Sequence, residues 1–300
     1  MPLLSLFCLG LAASSWAAAP QAEPRFKDLS EPEISQSLRA IHKAHPTWPD
    51  RFEAVSAAFL GIPYRLGPMG EGPQGEFDRS PTYSFQQLDC TTYVEEAMAL
   101  SLESDLDQAK ALLQKIRYQD GKVSYETRNH FPEVDWRNNN EAAGFLKDIT
   151  REVAGDRTTV MPKRISKRAW YASRTLNDVK GFSDLPKQEL EAKLKRLQEL
   201  GAQFQDEVSA IAYVPLAALP QALDRIPSAT VVNLVREDRP DQPVAITHQL
   251  LIVVKDGKRF VRHASYGKEV EEQPADRFFS RYDRASWRVV GVNLEQILGR

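Results

Sequence analysis

Apolar side chains in the first half of the chain recur at the three- and four-residue spacing of helices that bury one face. Glu31 to Ala44 and Pro49 to Leu60 carry two such stripes, with Trp48, Phe52, Val55, Phe59 and Leu60 on the buried side of the second. A third begins at Cys90, where Asp89 or a neighbour can cap a helix that buries Val94, Ala97, Met98 and Leu100. A fourth runs from Asp105 to Arg117 and stops at Asp120-Gly121. Residues 138–200 are polar and rich in helix formers, including a Lys/Glu/Leu run from Pro186 to Leu200, and read as a peripheral helical insertion without chemistry. Then the period changes. Short β-branched runs at 210–214, 230–235, 246–254, 259–264 and 287–292 predict strands. Helices first and strands later predict an α+β fold with a mostly antiparallel sheet.

Between the second and third helices, Gly61-Ile62-Pro63-Tyr64-Arg65-Leu66-Gly67 opens a long Gly/Pro loop to about Gln87. Inside it, Gly70-Glu71-Gly72-Pro73-Gln74-Gly75 formally matches a dinucleotide-binding fingerprint. No strand precedes it, no helix follows it, and Pro73 lacks the N–H a pyrophosphate would need, so it reads as a loop.

The first residues read as an export signal. Pro2 to Ala13 is uncharged and mostly apolar, too short to span a bilayer, and Ser15-Trp16-Ala17 supplies the small-x-small pattern of a cleavage site. The expected organisation is a signal peptide at 1–17, a disordered leader at 18–30, and one catalytic domain over 31–300. Periplasmic localisation follows, with no membrane insertion after cleavage, and a monomer is expected. A formal charge of −2 gives no electrostatic case for nucleic-acid binding.

Cleavage would remove Cys8 and leave Cys90 as a lone thiol in an oxidising compartment, a hint of chemistry. In the first turn of its helix, unpaired N–H groups and the helix dipole favour a thiolate and can cradle an oxyanion. A partner for it comes from the hairpin signal Lys255-Asp256-Gly257-Lys258. Counting outward from that turn, Leu250 faces His263 and His248 faces Ser265, so both imidazoles emerge on one face as diagonal neighbours. Cysteine catalysis needs a base and a group that orients it. Cys90 is therefore assigned as nucleophile, His248 as base and later acid, and His263 as the orienting group. A zinc site from the same three residues would lack a second cysteine or a Cys/His spacing motif, so no metal or cofactor is expected. His42 and His45 read as ordinary surface histidines.

These pieces resemble the NlpC-type cell-wall hydrolases, a branch of the papain-like cysteine peptidases and amidases. The resemblance rests on Gly61 to Gly67, Leu88-Asp89-Cys90-Thr91-Thr92, Thr247-His248 and Phe260-Val261-Arg262-His263-Ala264-Ser265. It implies a papain-like fold, with the catalytic helix packed on the sheet, and the triad Cys90, His248 and His263. It also gives Tyr64 an oxyanion or substrate contact and places Asp89 and Thr91 among the substrate-binding residues. The closer likeness is to the N-acetylmuramoyl-L-alanine amidase-like branch, carried by Asp89-Cys90-Thr91-Thr92, Val94-Glu95-Glu96, Ile116 to Gly121, Arg128-Asn129-His130 and Asp135-Trp136. That branch implies cleavage between N-acetylmuramic acid and L-alanine in peptidoglycan fragments (muropeptides). Arg128 and His130 then become candidates for a substrate carboxylate or sugar oxygen. Two departures stand out. Gln249-Leu250 replaces the usual Val-Gly after the hairpin histidine, so Leu250 is expected to crowd the site. The loop before Cys90 is also longer than in the short endopeptidases. An endopeptidase cutting between D-glutamate and the diamino acid, a non-catalytic wall-binding domain and an acyltransferase remain rival readings.

Overall fold

The computed structural model describes residues 24–284 and 286–299. The expected signal peptide and the first part of the leader lie outside the described residues. The end of the leader does not match its expected disorder. Phe26–Asp28 form a 3-10 turn, Phe26 is fully buried against Phe59 and Phe85, and Arg25 donates to the carbonyl of Ala57. One aromatic residue seated in the main core is enough to hold so short a segment.

The N-terminal layer consists of α1 (Glu31–Ala44), α2 (Trp48–Ala58), α3 (Cys90–Leu102) and α4 (Leu106–Arg117). Ser30 and Glu33 form a capping box on α1, and a proline in the first turn starts both α1 and α2. After α4 come α5 (Arg137–Ala142), β1 (Leu146–Asp148), α6 (Thr150–Ala154), β2 (Thr159–Ile165), α7 (Lys167–Ala172) and α8 (Lys187–Leu200). The last third holds β3 (Glu207–Pro215), α9 (Leu219–Ala222), β4 (Thr230–Arg236), β5 (Ile246–Lys255), β6 (Lys258–Ala264), β7 (Val270–Pro274), α10 (Ala275–Ser280) and β8 (Val289–Ile297).

The eight strands make one sheet ordered β2-β3-β8-β4-β5-β6-β7, with β1 also paired to β8, and every strand pair is antiparallel. Side chains alternate across it. Val231, Leu251 and Val253 face the helical layer, while Val232, Leu234, Leu250 and Ile252 face a second core with Phe278 and Phe279 of α10. Such two-sided burial explains why the central strands read as continuous apolar runs. The segment 138–200 differs from its helical expectation, because it supplies β1 and β2 as well as four helices. Its helices also cover the long loop. Phe77 and Tyr125 pack with Tyr171, Val179, Phe182 and Leu197, and Lys180 Nζ donates to the Gly67 carbonyl at 3.0 Å.

Candidate active site

Asp89 is the N-cap of α3: its Oδ1 accepts from the Thr92 amide at 2.9 Å while Thr92 Oγ1 accepts from the Asp89 amide at 2.9 Å. The other carboxylate oxygen accepts from the amide of Gly67 at 3.0 Å. Gly67 has φ of +56°, a conformation that favours glycine, so the motif glycine and the cap together pin the loop against the cysteine helix. Asp89 thus shapes the site through backbone bonds.

Cys90 is the first residue of α3 and is half-buried. Its sulfur lies 3.9 Å from Thr91 Oγ1, and the Gln249 backbone on β5 is near enough to favour its charged form. The expected thiolate is not what the surroundings favour. Burial, and then the Asp89 carboxylate, push the thiol up to about 11, outweighing the Gln249 and Thr91 donors that act the other way. The helix start therefore presents a neutral thiol that needs a base.

The hairpin register pairs Lys255 with Lys258 and Leu251 with Arg262, with Asp256 and Gly257 both at positive φ in the turn. This is the register counted from the Asp-Gly signal. His248 Nε2 and His263 Nδ1 are 2.9 Å apart, and their rings meet edge to face. Leu250 is fully buried in the second core. Upstream of His248 the ladder slips, since Leu234 pairs with His248 but Val235 pairs with Ile246. Thr247 is the extra residue of a β-bulge, a device that re-aims neighbouring side chains. Glu133 holds it: one carboxylate oxygen accepts from the amides of Ala245 and Ile246, each at 2.7 Å.

Both imidazoles are neutral at pH 7. Burial, then Arg281 and Arg236, bring His248 down to about 4. Burial, then His248 itself, bring His263 to about 3. On the far side of the pair, His263 Nε2 lies 3.3 Å from Glu271 Oε1, its cross-strand partner on β7, and 3.4 Å from the Gln273 side chain. A carboxylate only accepts, so it favours the proton on His263 Nε2, and the Gln273 amide, whose nitrogen is the atom at 3.4 Å and can only donate, must then turn its oxygen toward the ring. His263 Nδ1 then accepts from His248 Nε2–H, leaving His248 Nδ1 as an open base. Among the described residues no hydrogen bond occupies that nitrogen.

Asp89, Thr91, Arg128 and His130 line one cavity of about 170 Å³, together with Glu95, Arg117 and Trp136. Arg128 is not free there. Its Nη2 lies 2.6 Å from Glu71 and 3.6 Å from Asp78, both buried carboxylates. His130 is wedged between Tyr125 and Trp170, ring centroids 4.6 and 4.7 Å away, and its Nε2 meets the Tyr125 carbonyl at 2.7 Å. Trp170 belongs to the stretch expected to be peripheral, so that stretch does back the pocket wall. Tyr64 remains a phenol, because burial and then Cys90 and Asp89 raise its pKa.

A family model for the AmiA-like, N-acetylmuramoyl-L-alanine amidase-like proteins matches residues 54–285. The chain belongs to this family. The match spans the cysteine helix, the 128–136 strap and the histidine hairpin. Among solved structures, protein LPG0564 from Legionella pneumophila is 28% identical with a TM-score of 0.81, covering 89% of this chain and 95% of its own. An N-acetylmuramoyl-L-alanine amidase from Bacteroides uniformis shares the fold at a TM-score of 0.62 and 21% identity, covering 83% of this chain and 98% of its own. No curated protein matches. For this amidase-like chain, sequence reasoning missed Glu133, Glu271, Arg236 and Arg281. Only Glu271 had a signal, the Gly267 turn after β6 that folds β7 back onto His263.

Proposed function

We propose that this chain is a thiol-dependent N-acetylmuramoyl-L-alanine amidase acting on peptidoglycan fragments, exported to the periplasm as a monomer and built on a papain-like, NlpC-type plan. The observation that carries the reading is the His248–His263 hydrogen bond, made from the strand whose Gln249 backbone lies near the helix-start thiol, in a chain of the amidase-like family. The Cys90 sulfur attacks the lactyl carbonyl of N-acetylmuramic acid as its proton passes to His248 Nδ1. A sulfur–carbon bond forms, and the carbonyl becomes an oxyanion facing the first-turn amides of α3 and the Tyr64 hydroxyl. The carbon–nitrogen bond then breaks as His248 gives its proton to the departing L-alanine nitrogen. Water, deprotonated by His248, attacks the thioester, and the thiol is restored when the sulfur–carbon bond breaks. Arg262, at the centre of β6, plays no part in this: it is buried against Glu53 and Glu272.

Mass spectrometry of muropeptides with ordinary and anhydro sugar ends, incubated with the protein and with Cys90→Ala, tests the reading. Free sugar and intact stem peptide, absent with the variant, is the expected result. A cut inside the peptide would replace the amidase by an endopeptidase.

A further inference from the structure

Arg128 was the sequence's candidate for a substrate carboxylate, yet Glu71 and Asp78 already neutralise it. Two other guanidinium groups stand beside the base, and among the described residues neither has a carboxylate. Arg236 ends β4, donates from Nε to Thr247 Oγ1 at 2.8 Å and from Nη1 to the Trp287 carbonyl, and has its Cζ 5.2 Å from the Trp287 ring centroid. Thr247 is the bulge residue next to His248. Arg281 follows α10 and stacks its Cζ 4.0 Å over the Phe278 ring, which in turn meets the His263 ring at 4.9 Å. Among the described residues neither arginine makes an ion pair. Their neighbours do: Arg239 and Arg288 share Glu237, at 2.7 and 3.5 Å, and Lys268 lies 3.7 Å from Glu271.

We propose that Arg236 and Arg281 form a carboxylate-binding subsite beside the catalytic pair, which takes an acidic group of the substrate's stem peptide. The proposal rests on the amidase reading for the identity of that substrate. Two fixed positive charges near a base lower its basicity, an expense of catalysis unless an anion arrives with the substrate. Both act on His248 in this way, and Arg236 is itself held below the ordinary guanidinium range by burial. Their anchoring differs usefully. The Thr247 bond and the Trp287 ring fix Arg236, while Arg281 is exposed, donates from Nε to the Phe278 carbonyl at 3.0 Å and stacks on the Phe278 ring, which leaves its two Nη groups to meet a ligand. Guanidinium planes bind carboxylates through paired N–H donors, so two of them can read one acidic group or two adjacent ones. An incoming carboxylate would also offset the positive field and raise His248 toward its working range, coupling substrate binding to the strength of the base.

The test is a cycle of variant against ligand. Calorimetry on the full chain carrying Cys90→Ala compares a muramoyl tripeptide with free peptide carboxylates against the same ligand with those groups amidated. Arg281→Gln, at an exposed position that leaves the core untouched, should weaken the free-acid ligand about tenfold and leave the amidated one unchanged. Arg236→Lys keeps the charge but not the fork, and should give a smaller loss confined to the same ligand. Equal losses on both ligands, no loss on either, or no binding of the free acid would overturn the subsite. Turnover of the same ligands by the enzyme with Cys90 intact reports separately. Cleavage with a flat cycle removes the subsite alone, and an intact cycle without cleavage removes the amidase reading alone.

Discussion

Glu133 should prove to be the residue through which the pocket strap aims the base. It lies in the π-helical turn Pro132–Trp136, is 1% exposed, and accepts both the Ala245 and Ile246 amides just before the bulge that presents His248. Ala245 and Ile246 are themselves buried. Glu133→Ala leaves two buried amides without an acceptor, at about 1–3 kcal/mol each, so roughly 2–6 kcal/mol in all. For a chain of this size that is a fall in Tm of roughly 4–12 °C. Displacing the base by about 1 Å would lower kcat/KM about a hundredfold. Glu133→Gln retains a carbonyl acceptor and should lose less than half as much in both respects. Differential scanning fluorimetry and initial rates on a muropeptide measure the two effects. If Glu133→Ala melts within about 2 °C of the parent and turns over normally, the bulge is held by the sheet alone and the argument fails.

Four further expectations follow from the same geometry. Because the resting thiol is pushed up to about 11, alkylation of Cys90 by iodoacetamide should accelerate steadily from pH 7 to 10; a rate already level at pH 6 would reveal a preformed ion pair. Glu271→Gln should lower kcat/KM roughly tenfold or more at unchanged Tm, with histidine 15N spectra showing the proton leaving His263 Nε2; unaltered tautomers would dismiss the carboxylate's role. Arg128→Ala strips the counter-charge from Glu71 and Asp78 and should cost about 3–5 kcal/mol in urea unfolding, whereas a raised KM at full stability would restore it as a substrate ligand. Glu96 shares one arginine with Glu95, which takes the closer contact at 2.6 Å, and burial pushes Glu96 up to about 8 from 4.5. The folded chain then holds a proton that the unfolded chain has released. Stability falls as pH rises from about 4.5 to about 8, and Glu96→Gln should flatten the fall of Tm above pH 6.5. His248 and His263 act oppositely and lower down: their depressed values cost stability only as pH drops below about 6.5.

Local rules account for what the sequence by itself determined. The three- and four-residue stripes placed α1 to α4, Asp89 capped α3 as its residue type allows, and Asp256-Gly257 set a register that brings His248 to His263. Each depends on neighbours a few residues apart, so a single chain suffices to read it. Where the contacts join distant segments, only the tertiary structure decided. Phe26 is ordered because a pocket made by Phe59 and Phe85 awaits it. The strands within 138–200 form because β3 and β8 offer them edges. Burial reversed two electrostatic expectations. It raised the thiol that a helix start alone would have made acidic, and it gave Arg128 to Glu71 while Arg236 and Arg281 find no carboxylate among the described residues. Desolvation and long-range pairing depend on what surrounds a group in space, and spacing along the chain does not encode that.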